Sequence, residues 1–313
     1  MKLQTIIPES PQSNQIDYNS TTLLLGSCFT ENIGDQLDYF KFRNLQNPFG
    51  VLFHPIAIER LIRRAVEDVF FTEEDLFCQD GIWHSFEVHS LVNSTSKETM
   101  IQLLNEQLSE LKTYIQTASH IVLTFGTAWV YRHLTSDMVV ANCHKVANKA
   151  FSKELLSVED VSHSVEKIKN AIQKLNEHAT VITTISPVRH LKDGFVENTR
   201  SKAHLLAGVH GVEELYYFPA FELMMDELRD YRFYKSDLIH PNETAIAIIW
   251  ERFRHVWVAP KTESLQKEID VIQKGLRHRP FHPKSEAHQV FQESLQQKID
   301  AVMAQLPDVR FDK

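Results

Sequence analysis

The chain has 313 residues, a hydrophobic fraction of 43% and a charged fraction of 24%, ordinary proportions for a globular protein that exclude extensive disorder. Its 33 Lys+Arg and 41 Asp+Glu are intermixed and leave a net charge of -8, with no basic footprint of the kind that nucleic acid or an anionic membrane attracts, so neither is expected as a partner. No run approaches the ~18 apolar residues of a membrane span, and Met1 to Glu9 lacks the apolar core of a signal peptide. Cys28, Cys78 and Cys143 are scattered and odd in number, which suits free thiols in a reducing compartment, and no CxxC spacing offers a zinc site. A cytoplasmic protein with no metal and no cofactor is expected.

In chain order, Thr22 to Leu25 is an apolar run that stops at Gly26-Ser27, the pattern of a buried strand delivering a hydroxyl to its end. Ile33, Leu37 and Phe40 then recur at helical spacing, which places a helix start beside Ser27, where developing negative charge is favoured. Phe42 to Leu45 is a short strand candidate ended by the loop Asn47-Pro48-Phe49-Gly50, and His54-Pro55 opens a helix reaching about Val66. Asp80-Gly81 between hydrophobic flanks predicts a small antiparallel hairpin over 76–86.

Lys97 to Thr117 repeats leucine and isoleucine at helical intervals, and the strand Ile121 to Phe125 follows, ending at Gly126-Thr127. A second hairpin is predicted from Tyr131–His133 and Met138–Ala141, carrying Asn142-Cys143-His144-Lys145. The Cys143-His144 neighbours are read as strand residues pointing to opposite faces rather than as a metal or thiol site. Ser157 with Asp160 is a capping-box start for a helix to Asn176, and Thr180 to Ile185 is a β-branched strand ending at Ser186-Pro187-Val188-Arg189-His190. A helix from Glu197 to Gly208, a last strand over 215–219 and a short helix from Phe221 to Leu228 precede the turn Asp237-Leu238-Ile239-His240-Pro241-Asn242. Asn242 is expected to cap a helix that buries Ala245, Ile249, Phe253 and Trp257. Beyond Pro260 two charged amphipathic helices are predicted over 261–274 and 285–305; His278 and His282 between them have metal-pair spacing that Pro280 interrupts.

Alternating helix and apolar strand predict an α/β fold, with a parallel sheet in the order 2-1-3-4-5, small hairpin insertions and a helical C-terminal extension. One α/β domain over residues 15–258 and a helical extension over 259–313 are expected. In such sheets ligands bind outside the carboxyl ends of the strands, and Ser27, Asn47 to Gly50, Gly126, His190 and Asp237 with His240 all fall at those ends. A serine needs a base within hydrogen-bond reach and a third group to orient that base. Within one turn the Asp237 carboxylate can reach one ring nitrogen of His240, leaving the other to face Ser27 or a substrate. Gly-Ser is also common turn chemistry and Asp-x-x-His also serves as a helix cap; the convergence on one sheet edge favours the catalytic reading. Arg189 and His190 are candidates for holding an acidic or sugar-like part of a substrate, with Gly126 and Thr127 beside them.

At this point the blocks resemble a known family. Gly26-Ser27-Cys28-Phe29 matches the motif that names the GSCFA family, and Asn47-Pro48-Phe49-Gly50, Phe125-Gly126-Thr127, Asn142-Cys143-His144-Lys145, Ser186 to His190 and Asp237-x-x-His240-Pro241 look like its other blocks. The family is similar to the SGNH/GDSL hydrolases, flavodoxin-like three-layer α/β/α esterases. The resemblance implies Ser27 as nucleophile, His240 as base and Asp237 as its orienter, with oxyanion donors in the N–H groups of Ser27 and Gly50. It also implies an asparagine in the third block, where this chain has Ala128. Asn142 is the expected replacement donor, brought back over Ser27 by the second hairpin. The function expected is hydrolysis of an acyl ester of a small molecule or carbohydrate; an acyltransferase with the same residues, or a ligand- or carbohydrate-binding module without turnover, are the alternatives.

Overall fold

A computed structural model describes residues 4–282 and 285–311; the first three residues of the stretch read for a leader lie outside it. The buried run of β1 (Thr21–Gly26) feeds α1 (Cys28–Tyr39), and β2 (Arg43–Gln46) leads to α2 (Pro55–Glu67). A hairpin, β3 (Phe77–Gln79) and β4 (Ile82–His84), precedes α3 (Lys97–Thr117) and the wholly buried β5 (His120–Phe125). Next come β6 (Trp129–His133), β7 (Met138–Val140) and β8 (Phe151–Leu155), then α4 (Val158–Leu175), β9 (Thr180–Ile185) and α5 (Phe195–His210). The chain ends with β10 (Tyr216–Tyr217), α6 (Ala220–Glu222) running into a π-helical turn, α7 (Glu243–Trp257), α8 (Glu263–Arg277) and α9 (Glu286–Gln305).

The five-stranded sheet has the order β10-β9-β5-β1-β2 with every pairing parallel, which is the predicted 2-1-3-4-5 order in its own strands. Each crossover carries apolar strands between two helical layers. One core, with Leu23, Leu25, Leu104, Ile121, Ile168 and Leu205, fills one face, and another, with Leu24, Phe29, Val122, Ile182, Phe253 and Trp257, fills the other. Successive residues of β1 alternate between the two cores, as the period of two in a strand demands. Among the described residues no helix is long and apolar enough to cross a membrane.

The hairpin β3–β4 turns at Asp80 (φ 52°) and Gly81 (φ 79°), the two left-handed residues that an Asp-Gly hairpin turn requires. The second insertion differs from the two-stranded hairpin expected. β6 pairs with β7 on one side and with β8 on the other, making a three-stranded antiparallel sheet. Phe151-Ser-Lys-Glu-Leu155 has too little β-branching to announce a strand, and the Arg132 ion pair with Glu154 and the ladder to β6 hold it in place. Residues 143–147 form a loop rather than a strand, so the opposite-face reading of Cys143 and His144 does not hold: His144 takes φ 47° and is buried against the rings of Phe77, Phe86 and His84. α8 lies on α1, where Tyr39 Oη donates to Asp270 at 2.8 Å, and α9 packs on α8.

Candidate active site

Ser27 is the N-cap of α1, its Oγ accepting from Phe29 N–H at 3.4 Å. Strand β1 ends one residue earlier because Gly26 has φ 141°, and a side chain there would overlap the Thr124 carbonyl of β5. Ser27 N–H donates to that same carbonyl at 3.0 Å, so the serine is tied to the next strand, and its side chain is fully buried. Asn47 completes this corner: its Oδ1 accepts Gly26 N–H at 2.9 Å, while its buried Nδ2 has no hydrogen-bond partner among the described residues. Gly50 N–H donates to Asn47 O at 2.8 Å. Both backbone donors expected at an oxyanion are therefore engaged with carbonyls.

The turn after β10 holds the acid–histidine pair. Asp237 Oδ2 lies 2.7 Å from His240 Nδ1, while Oδ1 accepts the N–H groups of Ile239 (2.8 Å) and His240 (3.0 Å). Those backbone donors first, and the imidazole next, hold the Asp237 carboxyl well below the usual range. Leu238 adopts φ 57° to close so tight a turn, and Asn242 anchors it, capping α7 through Ala245 N–H and donating to Arg232 O. With Nδ1 committed to the carboxylate, Nε2 of His240 is the nitrogen left to act on a proton. Both side chains are partly open to solvent, and among the described residues Ser27 Oγ is not bonded to His240.

Between them lies the end of β5. Position 126 admits only glycine without rearrangement, since a Cβ would stand 3.1 Å from His190 Nε2 and 3.3 Å from both Ser27 Cβ and the Phe53 carbonyl. That crowding brings Ser27 and His190 to the same point beside Gly126. Phe53 O accepts both Gly126 N–H (2.8 Å) and Thr127 N–H (2.9 Å). The His190 backbone N–H donates to Asn198 Oδ1 at 2.8 Å, its ring packs edge-on to Phe53, and its Nε2 is buried and unbonded among the described residues. Burial first, then the charges of Lys202 and His240, push His190 down to about 3, so it is neutral at physiological pH. Arg189 lies with its guanidinium 4.2 Å from the Tyr234 ring centroid, and its N–H donates to Ile239 O, joining the loop after β9 to the Asp–His turn.

A cavity of about 470 Å³ opens beside these groups, lined among others by Phe53, Thr127, Trp129, Asn142, Arg189 and His190. Asn142 uses Oδ1 to accept His144 N–H at 2.8 Å. The Thr127 hydroxyl is committed to Ser201 Oγ at 3.0 Å, and Ser201 Oγ accepts Ala128 N–H at 2.7 Å. Of the candidates, Thr127, Asn142, Arg189 and His190 share this cavity, while Ser27, Gly50, Gly126, Asp237 and His240 are not among its lining residues. Sequence reasoning placed Asn47 at the strand end without giving it a role, and missed Ser201 and Lys202, which carried a faint signal as polar residues at helical spacing from the buried Leu205 and Val209 of α5.

The fold and these residues define an α/β protein with a capped strand-end serine and a paired aspartate–histidine turn. The model of the GSCFA family matches residues 21–253, and that of the GSCFA domain protein C-terminal domain matches residues 269–313. The chain belongs to the GSCFA family. No match to it was found among curated proteins. Similar solved structures include a carbohydrate esterase family 3 protein from Talaromyces cellulolyticus (9% identity, 80% of this chain and 99% of that one, TM-score 0.36). An acetyl esterase mutant with acetate ion is 10% identical over 80% of this chain and 99% of that one, TM-score 0.34. An acetyl xylan esterase from the rumen bacterium Butyrivibrio proteoclasticus is 9% identical over 77% of this chain and 65% of that one, TM-score 0.38. At such scores these likenesses carry no weight on substrate or mechanism.

Proposed function

We propose that the protein is a serine hydrolase of acyl esters acting through Ser27, His240 and Asp237. The observation that carries this reading is the Asp237–His240 pair, bonded at 2.7 Å in a turn tied by Arg189 N–H to the loop that also bears His190 beside Ser27. In the reaction, Ser27 Oγ leaves the Phe29 N–H, bonds to the ester carbonyl carbon and gives its proton to His240 Nε2, while Asp237 steadies the imidazolium. The tetrahedral oxyanion collapses, the C–O bond to the alcohol breaks, and the alcohol takes the proton from His240. Water, deprotonated by His240, then attacks the acyl-Ser27 carbonyl, and collapse frees the acid and returns the proton to Ser27.

Asn142 is the side-chain donor we assign to the oxyanion, because its Oδ1 is already bound and its Nδ2 carries two N–H groups at the cavity wall. Ser27 and Gly50 N–H groups join it once the carbonyls of Thr124 and Asn47 yield them. Thr127, Arg189 and His190, with Gly126 next to Thr127 in the chain, form the acyl or alcohol side, which the cavity suits to a small-molecule or carbohydrate ester. An acyltransferase would use the same residues, and added alcohol acceptors that divert product from free acid would reveal it.

A binding module without turnover is favoured by the full burial of Ser27 and the two engaged N–H groups. Incubation with a fluorophosphonate, followed by mass spectrometry of the Ser27 peptide, separates the readings. Labelling at Ser27 together with hydrolysis of 4-nitrophenyl acetate is expected; an unlabelled, inert protein would leave the binding module.

A further inference from the structure

We propose that Lys202 is a positioning residue of this site, its buried ammonium clamping the Gly126 and Ser186 carbonyls beneath Ser27 and His190. Lys202 is 2% exposed, and its Nζ donates to Gly126 O at 2.7 Å and Ser186 O at 2.6 Å. These are the first carbonyls past the β5–β9 ladder, which ends at the pair Phe125 and Ile185. Beyond that point the two strands no longer satisfy each other, and the lysine takes both carbonyls. The neighbouring Ser201 holds Thr127 Oγ1 and Ala128 N–H, so two consecutive residues of α5 fasten the whole segment Gly126–Ala128.

A stability argument alone does not account for this lysine. Among the described residues no carboxylate pairs with it, and burying a cation without one is costly unless its hydrogen bonds and surroundings compensate. An apolar side chain would avoid burying a charge but would leave the Gly126 and Ser186 carbonyls without this donor. What the ammonium adds is position and charge: it fixes the Gly126 peptide, at which an added Cβ would meet both Ser27 Cβ and His190 Nε2, and it brings a positive charge to the carbonyl of that residue, where it would favour a developing oxyanion. The segment that has Ala128 in place of a donor thus becomes a rigid floor held from α5.

The titratable and charged groups facing Lys202 agree with this placement. Cys28 approaches from α1, and its thiol is pushed up by burial and by Glu31, against the pull of Lys202 and Lys235; His190 approaches from the loop after β9, with His240 beyond it. Burial brings Lys202 down to about 7.

The inference rests on the hydrolase reading, and the experiment keeps the two apart. Parent, Ser27→Ala, Lys202→Met, Lys202→Gln and Ser201→Ala are compared for 4-nitrophenyl acetate hydrolysis across pH 5–9 (roughly one unit or more either side of the Lys202 value), with circular dichroism melts to verify folding. Lys202→Met is expected to lower kcat roughly tenfold or more with KM little changed, the scale typical of removing a supporting partner. Lys202→Gln, which keeps a donor without the charge, falls between, and the pH profile of kcat differs from the parent's in both. Independently of turnover, ring NMR of His190 in Lys202→Met, or in Lys202→Gln should the first not fold, is expected to titrate higher than in the parent. Unchanged kcat, pH profile and His190 titration in the folded variants overturn the inference. Equal activity of Ser27→Ala and the parent overturns the hydrolase reading instead, and the His190 titration then decides the role of Lys202.

Discussion

Asp237 Oδ2 and His240 Nδ1 stand 2.7 Å apart, and the same carboxylate accepts two backbone N–H groups of its own turn through Oδ1. The aspartate is thereby aimed before any substrate arrives, and it selects the His240 tautomer that leaves Nε2 for proton transfer. Asp237→Asn keeps the shape but loses that selection. A kcat reduced on the order of 10⁴-fold is expected, as when the orienting acid of other triads is amidated. Comparable kcat in steady-state assays of the two proteins would remove Asp237 from the mechanism.

Ser27→Ala is expected to abolish ester hydrolysis while the fold persists. Its cost to stability is that of an N-cap, about 1 kcal/mol, and the long 3.4 Å cap bond places it at the low end. Melting temperature and turnover measured side by side test both halves. Cys28→Ser should remain active, since the Cys28 thiol has no role in the proposed chemistry.

Asn142→Ala is expected to lower kcat by ~10²–10³, the usual loss for one oxyanion donor, without altering thermal stability by more than ~1 kcal/mol. Unchanged turnover in the folded variant rejects Asn142 as that donor.

His54 caps α2, accepting Ala57 N–H on Nδ1, while Nε2 meets Val140 O. Burial pushes it down to about 4. Between about 6.5 and 4 the unfolded chain takes up a proton that the folded one refuses, so stability falls as pH is lowered through that window and levels off below it. The loss from this residue is on the order of 3 kcal/mol at ~1.4 kcal/mol per unit. His54→Asn keeps a capping acceptor and removes the titration. Urea midpoints at pH 7 and 4.5 should differ less in the variant; an equal difference would assign the acid sensitivity elsewhere.

Gly26→Ala places a methyl against the Thr124 carbonyl at φ 141° and is expected to destabilise by several kcal/mol, from steric overlap and backbone strain together. Soluble expression with a parent-like melting temperature would contradict this.

The sequence by itself determined the sheet. Five apolar runs separated by helical periodicity leave few right-handed parallel topologies, and the Gly-Ser and Asp-x-x-His blocks fell at strand ends because strand ends are where apolar patterning stops. The Asp237–His240 bond was also legible, being closed within four residues by local turn geometry. Tertiary structure alone decided what surrounds them. β8 became a strand only because β6 offered it a ladder, and the Cys143–His144 segment became a loop because His144 found an aromatic pocket from the β3–β4 hairpin. Ser27 spends its N–H on the Thr124 carbonyl, 97 residues away and beside it only in three dimensions, whereas Gly50 N–H closes a local turn onto Asn47 O. Lys202, 76 residues from Gly126 in the chain, reads in sequence as one more helical lysine. Its burial under the site follows from which face of α5 meets the sheet, a choice made by the packing of the whole core.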